Sequence, residues 1–115
     1  MPRKRADNRD KNERREDALR PCRYLGYDRD RLAMYLMQRG AYEIAESQFR
    51  RAIWLNPFEP RFKAHFAWCL HKQGRHNEAV ECLAEIPSDS KDEEIGTITR
   101  LITQNVPDAR TEDCE

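Results

Sequence analysis

Long apolar runs are missing from this chain. Nothing in it approaches the ~20 consecutive apolar residues that a membrane-crossing helix needs, so no membrane partner is expected. The opening MPRKRADNRD is basic but lacks the apolar run that a secretory leader places behind such a start. A cytoplasmic protein is therefore the expectation. Cysteines are few, and Cys22, Cys69, Cys82 and Cys114 form neither a CxxC pair nor a regular framework. Reduced thiols suit that spacing, and Cys69 and Cys82 fall inside helical patterns as small core residues. His65 and Cys69 share a helix face, with His71, His76 and Cys82 near in sequence, yet no zinc spacing results. A glycine-rich phosphate loop, a nucleophile elbow and an HExxH helix are all lacking. The carboxylates are spread as solvated helix-face charges. Neither catalysis nor a cofactor or metal site is expected.

Apolar residues are also scarce at both ends. Residues 1–23 carry nine Lys/Arg and five Asp/Glu, and Leu19 is their one large aliphatic after Met1. Residues 88–115 carry three basic and eight acidic residues. The zero net charge thus divides into +4 over residues 1–23, +1 over 24–87 and −5 over 88–115. A segment as polar as 1–23 buries too little surface to offset its ordering entropy, and it reads as a disordered charged arm. Residues 105–115 read as an acidic flexible tail. The folded part is then about residues 24–104, a size whose core supplies only about a few kcal/mol net.

What the chain does contain is a repeat. Laid on itself at an offset of 34, it places Leu32 on Phe66, Ala33 on Ala67, Leu36 on Leu70 and Gly40 on Gly74. Tyr42 then falls on His76, Ala45 on Ala79, Phe49 on Leu83 and Ala52 on Ile86. Large meets large and small meets small, which marks a repeated unit. Each copy holds two helical periods around its glycine: Leu32, Ala33 and Leu36 before it, then Ala45, Phe49, Ala52 and Ile53. Gly40 and Gly74 suit a left-handed helix end, Pro57 stops the second helix, and Pro60 opens the next. An antiparallel helix pair is predicted over about 26–59 and another over about 60–87. Ser90-x-x-Glu93 reads as a capping box, and Ile95, Ile98, Thr99 and Ile102 mark one face of a helix over about 91–104. That helix would cover the apolar side of the last repeat. The fold expected is all-α, with about five helices.

The pattern resembles the tetratricopeptide repeat. Leu32-Ala33, Leu36, Gly40, Tyr42, Ala45-x3-Phe49, Ala52 and Pro57 match in the first copy. Phe66-Ala67, Leu70, Gly74 and Ala79-x3-Leu83 match in the second. The tryptophan common early in that family's unit is replaced by Arg29 and Lys63, and Pro87 arrives four residues early. The resemblance implies a short solenoid of two repeats and a capping helix, non-enzymatic and protein-binding. It also implies that the first helix of each unit lines a concave face.

On the helical wheel, Tyr27, Asp30, Met34, Met37 and Gln38 lie opposite Leu32, Ala33 and Leu36. Their counterparts are Arg61, Ala64, Trp68, His71 and Lys72. A peptide site is expected over Tyr27, Met34, Met37, Gln38, Arg61, Trp68, His71 and Lys72, with flexible methionines beside a tryptophan as an adaptable apolar surface. Arg61 and Lys72 would favour an acidic or carboxylate-bearing segment. Packing between adjacent first helices is the other use for Met34 and Met37. The basic clamp with which some family members grip chaperone tails does not carry over, because Asp30, Met34 and Trp68 stand at facing positions. A small secretion chaperone, like the class II chaperones of type III secretion that are built from such repeats, is one variety suggested by analogy. Trp54, with Phe58 nearby, faces outward as a second contact surface, or is shielded by the arm or a sister subunit. The rival reading has the arm PRKRADNRDKNERR neutralising phosphates, with the repeats as a dimerisation body. The five acids of residues 1–23 and the lack of aromatics in this stretch weaken that reading, so nucleic acid is not the expected partner. Two repeats fall short of the usual three or so, which leaves homo-oligomerisation open.

Overall fold

The computed structural model describes residues 2–90 and 92–104. Six α-helices follow one another there: α1 (Pro2–Leu19), α2 (Tyr27–Gln38), α3 (Tyr42–Leu55), α4 (Pro60–Lys72), α5 (His76–Ala84) and α6 (Glu93–Thr103), with a 3-10 turn at Ser88–Ser90. The helices α2 and α3 pack as one antiparallel hairpin, and α4 and α5 as a second. The two hairpins stack through α3 and α4, while α6 lies on α4 and α5.

Both first helices end identically. Gly40 and Gly74 have φ of +82° and +83°, a conformation that glycine enters without the penalty a Cβ imposes. The Gly40 amide donates to the Met37 carbonyl at 2.9 Å and the Ala41 amide to Leu36 at 2.9 Å. At the same offset, Gly74 donates to His71 at 2.9 Å and Arg75 to Leu70 at 3.0 Å. This double bond pattern reverses the chain while satisfying carbonyls that a helix end would leave open. The repeat is thus physical as well as textual.

Burial follows the same register. Ala33 and Ala67, Ala45 and Ala79, Phe49 and Leu83, and Ala52 and Ile86 are all buried. Two pairs depart: Leu36 is half-buried where Leu70 is buried, and Leu32 is 45% exposed, whereas Phe66 is 9% exposed. Phe66 has the first hairpin in front of it, with the Arg50 guanidinium 4.9 Å from its ring centroid. Leu32 has no hairpin before it. The α6 helix closes the other end by burying Ile95 and Ile102 completely, at roughly 2–3 kcal/mol of transfer free energy each. Its N-cap is Asp92, whose Oδ1 accepts from the Ile95 amide at 2.9 Å, and not Ser90, which sits in the 3-10 turn. The carboxylate reaches the third amide of the helix, and Glu93 and Glu94 add charge at its positive end.

The arm expected to be disordered over 1–23 differs most from the sequence reading. Pro2–Leu19 is helical. Propensity alone does not hold it, because the described side chains of Lys11–Leu19 include none that is buried. Its anchors are Glu16 and Asp17, which meet arginines of the first hairpin. The link after it is fixed by Asn56, which is 1% exposed. Asn56 Nδ2 donates to the carbonyls of Arg23 (3.1 Å) and Leu25 (3.0 Å), and its Oδ1 accepts from the Phe58 amide (3.1 Å). The Cys22 amide donates to the Leu55 carbonyl at 3.0 Å. The acidic tail expected over 105–115 lies outside the described residues.

Candidate functional site

A cleft of about 270 Å³ opens between the N-terminal halves of α2 and α4, lined by Tyr27, Asp30, Arg31, Met34, Arg61, Phe62 and His65. Its apolar part is Met34, half-buried against the core, and Tyr27, whose ring meets Phe62 edge-on at 5.1 Å. The Tyr27 hydroxyl donates to Glu59 Oε1 at 2.8 Å. Burial, then that carboxylate, raises the tyrosine's pKa. Burial works against the Glu59 charge, but bonds from Tyr27 and Arg61 outweigh it and lower its pKa. Glu59 also caps α4, accepting from the Arg61 amide at 3.2 Å. One carboxylate therefore sets the positions of both Tyr27 and Arg61.

His65 forms the floor where both hairpins and the cap meet. It is 8% exposed, with Nδ1 at 2.9 Å from Asp30 Oδ1 and Nε2 at 3.1 Å from Glu94 Oε2. Burial disfavours its charge, yet the hydrogen bond and charge of Asp30, followed by those of Glu94, outweigh burial and raise its pKa.

Of the residues that the sequence assigns to a peptide site, Tyr27, Met34 and Arg61 share this cleft. Gln38 is exposed one helical turn beyond Met34 on α2. Trp68 is half-buried against the core, its ring 5.4 Å from that of His71 and 5.8 Å from Lys72 Nζ. Two assignments need correction. Met37 (8% exposed) and His71 (4%) are core residues, because their positions turn inward beside the helix ends at Gly40 and Gly74. Arg31, Phe62 and His65 are the lining residues that the wheel missed. Phe62 falls on Asp28 and His65 on Arg31 at the repeat offset, so self-alignment carries no signal for them.

A larger cleft, about 430 Å³, lies between α3, α4 and α5 and includes Trp54, Phe66, Arg50, Lys63 and Glu85. Guanidiniums lie over its aromatic rings. The Arg20 and Arg51 guanidiniums lie 3.9 and 4.8 Å from the Trp54 ring centroid, and Arg50 covers Phe66. Phe58 is separate from this cleft and carries Arg23 at 4.4 Å. Both outward aromatics thus carry a guanidinium from the residues after α1 and remain exposed, Trp54 at 41% and Phe58 at 45%.

The buried thiols are inert. Cys69 and Cys82 donate to the carbonyls of Tyr42 (3.4 Å) and Lys63 (3.3 Å), and burial pushes each pKa up to about 11. Among the described residues, no group of three or more His, Cys, Asp and Glu is placed to hold a metal ion. Among them, no helix is long and apolar enough to cross a membrane.

Comparison with known proteins agrees with this architecture. A family model described as tetratricopeptide repeat matches residues 36–101, more than half of the chain. Neither a curated protein nor a solved structure matches it.

Proposed function

The chain belongs to the tetratricopeptide repeat family, whose repeats generally mediate protein–protein interaction, and on that premise we propose that it captures a polypeptide segment in the α2–α4 cleft. The observation that carries this reading is the convergence of Met34 and Tyr27 with the guanidiniums of Arg31 and Arg61 in one cleft. Arg31 reaches Asp28 at 3.6 Å with both side chains largely in water, a pairing that a ligand carboxylate can replace at little cost. Bound segments would bury an apolar side chain against Met34 and set a carboxylate near Arg31. The role is that of a non-enzymatic adaptor or scaffold.

The test begins with peptides selected for binding to the parent protein from a random library. Met34→Ala and Arg31→Glu should each weaken them by about tenfold or more, equivalent to about 1.4 kcal/mol. Trp54→Leu should leave binding unchanged. Trp68→Ala is the poorer probe, since Trp68 packs against the core and its loss alters stability as well. Peptides that ignore the first two substitutions but lose affinity with Trp54→Leu would refute the α2–α4 cleft as the site.

A further inference from the structure

The contact between α1 and the first hairpin is built from charge. Glu16 is held by a two-bond fork from Arg29, with Nε to Oε2 at 3.0 Å and Nη2 to Oε1 at 2.8 Å. Arg51 Nη2 adds bonds to Glu16 Oε1 at 2.9 Å and Asp17 Oδ1 at 3.0 Å. One turn after Glu16, Arg20 lies over the Trp54 ring and donates from Nε to the Trp54 carbonyl at 3.0 Å. Among the described side chains of α1, those of Lys11–Leu19, no apolar face supports this docking: Glu16 is the one that is half-buried, and Leu19 is 52% exposed.

The receiving groups belong to the first hairpin. Arg29 Nη1 donates to Gln48 Oε1 at 3.1 Å, and the Arg51 guanidinium rests 4.8 Å from the Trp54 centroid. Arg29 is thus oriented from within the hairpin, whereas Arg51 rests on Trp54 and spends its hydrogen bonds on α1. A pair of arginines that forks a carboxylate is a recognition element, and among the described residues its occupant is attached by ion pairs, one stacked guanidinium and the Arg20 bond to the Trp54 carbonyl.

We propose that the Arg29–Arg51–Trp54 face is a recognition site for a helical segment of pattern Glu-Asp-x-x-Arg, and that α1 occupies it in cis as a displaceable latch. The pattern is read directly from Glu16, Asp17 and Arg20 and what each touches. The partner is a protein whose helix presents two successive carboxylates and an arginine one turn later. This face is separate from the α2–α4 cleft, so either site can fail without the other.

The experiment uses the full chain and a labelled peptide of sequence KNERREDALRP, identical to residues 11–21. Fluorescence anisotropy should show about tenfold tighter binding to an E16Q/D17N protein than to the parent, because a latch closed nine-tenths of the time lowers apparent affinity by that factor. Adding Arg51→Ala should abolish binding, and raising the salt from about 0.05 to 0.5 M should weaken it steeply. Circular dichroism verifies that both variants remain folded. Equal binding to parent and E16Q/D17N would overturn the latch. Absence of binding to either protein, or binding that survives Arg51→Ala, would overturn the recognition site. A parent dimer that E16Q/D17N converts to monomer would place α1 on a second copy and refute occupation in cis.

Discussion

Raising the pH through neutrality should loosen the junction of the two hairpins and the cap. Both nitrogens of His65 face carboxylates, and only the imidazolium can donate to both. Asp30 reaches it from α2 and Glu94 from α6, while Phe49 of α3 stands tilted at 6.3 Å. Burial is the largest single influence and opposes the charge; Asp30 and then Glu94 overcome it, so the folded pKa lies above the ordinary 6.5. A pKa raised on folding means that the native state holds the proton more tightly. Its stabilisation is therefore complete below the unfolded value and is lost as pH climbs through the folded one.

One linked proton limits the slope to about 1.4 kcal/mol per pH unit. At about 4–8 °C per kcal/mol for a domain this small, melting followed by circular dichroism should decline by up to roughly 5–10 °C per unit within that window. The two carboxylates should contribute unequally, because the Asp30 side chain is 15% exposed and that of Glu94 is 49%. Asp30→Asn removes a charge-assisted bond of about 1.5–3 kcal/mol and should flatten the decline. Glu94→Gln, half in water, should cost about 0–1 kcal/mol and keep most of it. His65→Gln should abolish the decline altogether. A His65→Gln protein with the parent's pH profile, or equal losses from Asp30→Asn and Glu94→Gln, would refute the reasoning.

Two further substitutions probe the frame that holds the cleft. Gly26→Ala puts a Cβ 2.7 Å from Phe62 Cε2 and 3.1 Å from the Ala52 carbonyl, at a φ of +94°; Gly40→Ala has a φ of +82° but meets nothing within 4 Å. Urea titration should therefore give about 1–2 kcal/mol for Gly40→Ala and about 3 kcal/mol or more for Gly26→Ala, and equal costs would show that the Phe62 contact is irrelevant. Asn56→Ala removes three hydrogen bonds at a buried site and should cost about 3 kcal/mol, with faster amide exchange at Phe58; exchange unchanged there would remove Asn56 from its role as the pin.

The hairpins were legible because their determinants are periodic. An apolar stripe and a glycine recurring at 34 residues required no knowledge of what touches what, and Gly40 and Gly74 occupy the same conformation. Helix α1 was illegible for the converse reason. Its composition describes a segment that cannot bury apolar surface, and it buries none among its described side chains. What orders it is a meeting of Glu16 with Arg29 and Arg51, the latter 35 residues away, which no local pattern encodes. Of the residues that the wheel grouped, Tyr27, Met34 and Arg61 line one cleft, whereas Met37 and His71 are buried. The wheel treats each helix as an isolated cylinder, whereas Met37 and His71, each in the last turn before a glycine, are covered by their neighbours.

The departures from the repeat are where this chain becomes particular. Matched pairs such as Ala33 and Ala67 build a seam that any two copies could share. Register across the seam needs groups that only one copy possesses. Asp30 falls on Ala64 and Arg31 on His65 at the repeat offset, so the Asp30–His65 contact has no repeated equivalent. Arg29 falls on Lys63; the first forks Glu16 of α1, whereas the second reaches Glu85 of its own hairpin at 3.6 Å. Exchanging the hairpins would keep the apolar seam and lose both contacts. Charge therefore distinguishes the two positions in the stack, alongside unmatched apolar residues such as Phe62, which falls on Asp28, and the cleft with its two arginines lies where the charged contacts join one hairpin to the next.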